Sequence, residues 1–225
     1  MDKNSSLKIA EFFNLAVKNH KENNIKVAQN LYEKVLNMNP NFANAHNNLG
    51  IIFKELGEIE KAKNYLKKAI NINPDYLDAQ NNLGIIFKEL GEIEKAKSCF
   101  KKVININPDY GDAHNNLGVI FRELEEYSKA KSFFEKALKL NPNLLNAQKN
   151  ITNFYIKELN NSEKAINASY KTSKILHERF EFENRSIFLF KLKHDVQQAR
   201  YLISKDCNIN GMDEFQKMGD EILSR

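Results

Sequence analysis

Five asparagines, Asn14, Asn48, Asn82, Asn116 and Asn150, stand 34 residues apart along the chain. A carboxamide donates and accepts at once. A ladder of them can therefore satisfy the backbone N–H and C=O groups of an extended polypeptide without reading its side chains. Asn47, Asn81 and Asn115 double the amide at the three middle steps. The competing chemistry is internal: a polar helix position that is only tolerated, or amides that bond within the array. Asparagine is a mediocre helix former, so its return at five equivalent positions argues for a use. If that use is a ligand, the amides matter for binding and little for folding. Changing Asn48, Asn82 and Asn116 to alanine is then expected to cost under about 0.5 kcal/mol each.

No other set of residues assembles a catalytic centre. His46 and His114 recur at one register two steps apart and read as packing groups rather than metal ligands. Glu58, Glu60, Glu92 and Glu94 lie among lysines and read as surface pairs. The adjacent His194 and Asp195 project about 100 degrees apart on a helix and do not converge on one metal. There is no glycine-rich phosphate loop and no nucleophile with a recognisable base. The expectation is a non-enzymatic protein with no cofactor and no metal.

The elements that carry the amides follow from the period. Residues 47–63 read NNLGIIFKELGEIEKAK, and residues 81–97 repeat the same letters. A period of about 34 residues with apolar positions at helical spacing is the mark of stacked helix–turn–helix units, none of which can bury its own apolar face. All four prolines, Pro40, Pro74, Pro108 and Pro142, keep the period, each following Asn and preceding Asn or Asp. Each ends a helix, and the polar residue after it is suited to starting the next. Leu49, Gly50 and Phe53 share one face of a first helix. Ile59, Ala62, Leu66, Ala69 and Ile70 recur along the second. Gly50 and Ala62 are small where two backbones approach, and Gly57 can take a left-handed conformation at the junction.

With Leu83, Gly84, Phe87, Gly91, Ala96, Phe100 and Pro108 in the next unit, and Leu117, Gly118, Phe121, Ala130, Phe134, Ala137 and Pro142 in the one after, these registers closely resemble the tetratricopeptide repeat. The resemblance implies an all-α fold, a right-handed superhelical α-solenoid whose first helices line a concave groove. The units are 9–42, 43–76, 77–110, 111–144 and a degenerate 145–178, between an N-terminal tail at 1–8 and a C-terminal helical cap or hinge at 179–225. In the first unit Asn19 replaces the aromatic and Asn23 the glycine; in the fifth Thr152 replaces the glycine. These ends read as caps or as decayed repeats.

The groove positions implied by the family hold Asn44, Asn47, Asn48, Ile51, Lys54 and Glu55 in one unit. The next has Asp78, Asn81, Asn82, Ile85, Lys88 and Glu89, and the fourth Asp112, Asn115, Asn116, Val119, Arg122 and Glu123. The asparagine column resembles the ladder in the repeat domain of O-linked N-acetylglucosamine transferases, which holds a polypeptide. The resemblance thus implies a peptide-binding set of the five ladder asparagines with Asn47, Asn81, Asn115, Lys54, Lys88 and Arg122. Chaperone adaptors of the family grip a C-terminal carboxylate instead. Of the corresponding residues only Asn48 matches, and Asp78 would repel the carboxylate.

The partner is therefore expected to be a protein or extended peptide held by an interaction scaffold; family analogy also allows the substrate-recruiting arm of a larger glycosyltransferase, sulfotransferase or iron-dependent oxygenase. The net charge of +5 does not point to nucleic acid, because Lys and Glu are interleaved. No run approaches the roughly 20 apolar residues of a membrane span, and MDKNSSLKIAEFF lacks the features of a secretory signal. Cys99 reads as a packing residue, and a disulfide with Cys207 is not expected. A cytoplasmic location is the expectation; the oligomeric state is left open.

Overall fold

The computed structural model describes residues 3–157, so the expected cap or hinge at 179–225 and the second helix of the degenerate unit lie outside the described residues. The chain divides into two compact units, Met1–Asp109 and Tyr110–Arg225. Among the described residues every regular element is an α-helix, and the fold is a run of consecutive helix–turn–helix repeats.

The first unit holds α1 (Lys3–Lys21), α2 (Ile25–Met38), α3 (Ala43–Glu55), α4 (Ile59–Ile72), α5 (Leu77–Glu89) and α6 (Ile93–Ile106). The second holds α7 (Gly111–Glu123), α8 (Tyr127–Leu140) and α9 (Leu145–Lys157). Helix α1 starts at Lys3, ahead of the repeat register at Ile9.

Each pair closes where side chains are small. A Cβ on Gly50 would lie 2.7 Å from Leu66 Cγ and 3.3 Å from the Ala62 carbonyl oxygen, and one on Gly84 would lie 2.7 Å from the Phe100 ring. Gly118 sits just as close to Phe134. A second buried face joins repeat to repeat. In the first unit Ala45, Ile52, Ala79 and Ile86 are wholly buried where α3 meets α2 and α5 meets α4. In α1 the same registers hold Glu11 and Lys18, both exposed, as an end face that meets water requires.

The turns depart from expectation in one respect. The helix-starting positions are Phe42, Tyr76 and Tyr110, and none caps with its side chain. The polar work is done by the asparagine before each proline. Asn39, Asn73, Asn107 and Asn141 accept, on Oδ1, the backbone N–H of the residue after the proline at 3.0–3.2 Å. This side-chain bond replaces a main-chain one and folds the corner locally. Gly57 and Gly91 occupy the left-handed region at φ +77° and +73°, and Glu125 takes the same conformation at φ +59°.

Candidate functional site

The first helices of successive repeats run side by side, α3 against α5 and α7 against α9, and their shared face carries the sequence-predicted residues. The amides are already engaged there. Asn82 Nδ2 donates to Asn47 Oδ1 at 3.1 Å, and Asn150 Nδ2 donates to Asn115 Oδ1 at 2.9 Å. Asn47 Nδ2 donates in turn to Asn48 Oδ1 at 3.1 Å. Asn48 Nδ2 donates to the Tyr32 hydroxyl at 3.0 Å, and burial pushes that phenol's pKa up. Each rung spans residues 35 apart, one period plus one, because neighbouring helices pack offset.

This divides the predicted set. Asn47, Asn81 and Asn115 are 4–6% exposed and lie beneath the face rather than on it. Asn48, Asn82, Asn116 and Asn150 are half-buried, whereas Asn14 is exposed on α1. The expectation that the ladder amides would be indifferent to folding is revised for Asn48, Asn82 and Asn150: their donors satisfy partners within the repeats.

The charges follow the same offset. Lys54 Nζ pairs with Glu89 at 3.0 Å, and His20 Nε2 lies 3.2 Å from Glu55. Between the amide rung and the charge rung the half-buried Val17, Ile51 and Ile85 stand at one register of α1, α3 and α5. Lys88 is also engaged. Arg122 is half-buried on α7. Sequence reading missed Tyr32, Glu55 and Glu89 as partners; for the glutamates the signal was a spacing of 35, which a search at the period of 34 passes over, whereas Tyr32 lies 16 residues before Asn48.

His46 is buried as expected, yet it is bonded. Its Nε2 lies 2.8 Å from the Pro40 carbonyl oxygen, and Gln148 uses its Nε2 on the Pro142 carbonyl at 3.3 Å. Burial, opposed by the bond to Pro40 and aided by Lys68, holds the His46 pKa below the usual imidazole value. The unfolded imidazole titrates near pH 6.5. A depressed folded pKa gives stability that is present above about pH 6.5 and lost as pH falls from there through the folded pKa. His46→Gln, which keeps the donor, is expected to flatten the loss of melting temperature between about pH 7.5 and 5, measured against wild type by circular dichroism.

Second-helix carboxylates pair locally. Glu60 meets Lys63 and Glu94 meets Lys97, each at 2.9 Å, while Glu58 and Glu92 pair with Lys61 and Lys95. Cys99 is buried and its thiol pKa is raised by that burial. Among the described residues no group of three His, Cys, Asp or Glu is placed to hold a metal, and no helix is long and apolar enough to cross a membrane.

The family model for the tetratricopeptide repeat matches residues 43–76, 77–110 and 111–144. No curated protein matches the sequence. Among solved structures the chain is similar to TTC0263, a thermophilic TPR protein of Thermus thermophilus, with 21% identity, a TM-score of 0.66 and coverage of 74% of this chain and 90% of that one. It is also similar to PilF of Pseudomonas aeruginosa, with 21% identity, a TM-score of 0.69 and coverage of 97% and 100%. A third is YrrB, described as a TPR protein with an unusual peptide-binding site, with 21% identity, a TM-score of 0.52 and coverage of 73% and 84%. At these identities the likeness is one of fold. The helix pairs, the small residues that close them and the three matched segments together identify residues 43–144 as tetratricopeptide repeats.

Proposed function

We propose that the chain is an interaction scaffold that binds a segment of a partner polypeptide on the first-helix face of its repeats. One observation carries this reading. In the first unit the aliphatic column of Val17, Ile51 and Ile85 is left half-buried, between an amide rung and a charge rung that hold α3 and α5 together. A face already locked by its own bonds loses little freedom when it binds. Aliphatic side chains there, unlike those of the core, have surface left to bury.

The ladder asparagines enter this proposal in a narrower role. An amide has two donor hydrogens and two acceptor lone pairs, and the rung takes only one hydrogen of Asn82. Asn14, Asn48, Asn82, Asn116 and Asn150 can offer bonds to a bound backbone, and Asn48, Asn82 and Asn150 do so while also holding the repeats. Lys54 can do so only by sharing its ammonium with Glu89. That YrrB is described as having a peptide-binding site agrees with a polypeptide ligand.

The test is selection of binding peptides from a displayed random library against the full chain. Ile85→Ser is expected to weaken the selected peptides about tenfold, with melting followed in parallel. Peptides that bind the folded Ile85→Ser variant as tightly as wild type would rule this face out.

A further inference from the structure

The charge rung has a regular grammar with one break. A basic side chain late in one first helix meets a glutamate 35 residues on: His20 with Glu55, and Lys54 with Glu89. Arg122 on α7 holds the same register as His20 and Lys54, and the residue 35 further on is Lys157, the last of α9. The sequence thus has a lysine at the position where the pattern of the first unit has a glutamate. Arg122 is half-buried, and no ion pair joins its guanidinium to any described residue, whereas the neighbouring Glu123 is engaged and Glu126 pairs with Lys129.

We infer that Arg122 is a recognition point for a carboxylate of the bound polypeptide, the side chain of an aspartate or glutamate, on the first-helix face of the second unit. The inference rests on the proposed function of that face and adds the chemical class of the ligand. The guanidinium is always charged and presents a planar fork that fits a carboxylate with two parallel hydrogen bonds. Half-burial strengthens such a pair relative to one in open water. At this register of the first unit Glu55 and Glu89 already answer His20 and Lys54, and Lys88 is engaged as well. The ligand group is a carboxylate carried within a chain, and it is met by a single arginine late in a first helix.

The experiment uses the full chain and two fluorescein-labelled probes, N-acetylated and C-amidated: hexaglutamate and hexaglutamine. Anisotropy at low salt is expected to show hexaglutamate binding and hexaglutamine not. Arg122→Gln should weaken hexaglutamate about tenfold, Arg122→Lys should retain part of the affinity, and Lys101→Gln/Lys102→Gln on α6 should leave it unchanged. Amide signals of α7 should shift on titration. Equal binding of the two probes, no binding of hexaglutamate, or an affinity that follows Lys101 and Lys102 instead of Arg122, overturns the carboxylate site. The library peptides separate this failure from the other: if they still depend on Ile85 the face binds and only the carboxylate site falls, whereas if they do not, the binding face itself is lost.

Discussion

Phe134→Ala is expected to destabilise the second unit by about 3–5 kcal/mol, the cost of removing a large buried aromatic from a core that relaxes only in part. The ring is wholly buried. It lies edge to face with Phe154 at 6.1 Å between centroids, and it presses on Gly118 so closely that a Cβ there would sit 2.7 Å from two ring atoms. The same closeness makes a second result diagnostic. Gly118→Ala in the wild-type background should lose about 1–3 kcal/mol to overpacking, despite alanine's higher helix propensity. Added to Phe134→Ala, it should cost nothing further or recover part of the loss, because the methyl group enters space the ring has left. Urea unfolding of the four proteins measures the coupling. Additive losses would mean that the glycine is present for another reason than the ring.

The amide rungs give the second large effect. Asn82→Ala is expected to cost about 1–3 kcal/mol, because it strips the donor from Asn47 Oδ1 inside a side chain only 4% exposed. Asn47→Ala should cost a similar amount by orphaning the Asn82 amide. The double replacement should cost clearly less than the sum, since it removes both partners together. An Asn82→Ala variant that melts with wild type would return the ladder to the role of an exposed ligand contact. The rung thus moves the amides from indifferent groove lining to part of what joins α3 to α5, and any binding assay on these variants has to be read at matched folded fraction.

How far the chain could be read from its letters depends on the residue. Gly50, Gly84 and Gly118 announce themselves through the large residue that recurs 16 positions later, Leu66, Phe100 and Phe134, and the pairs do meet. Gly57 and Gly91 were equally legible, since a left-handed turn favours glycine. Glu125 was not: it fills the same turn at φ +59° with a residue that local preference would place elsewhere. The corners misled in a different way. A polar residue before a helix is a good cap signal, but here an aromatic takes that position and the asparagine before the proline makes the bond.

The candidate site was legible as a face and illegible as a network. Periodicity marks which residues are equivalent, whereas contact joins residues that are not. Asn82 meets Asn47 rather than Asn48, Glu89 meets Lys54 rather than Glu55, and Tyr32, from a second helix, ends the amide chain at the first repeat. The period, the helix pairs and the apolar surfaces that force them to stack are written in the letters alone, because burial of apolar area needs no particular partner. Where the hydrogen bonds and charges of the first helices go was settled by packing, because a directional bond depends on an offset between neighbouring helices that no single helix encodes.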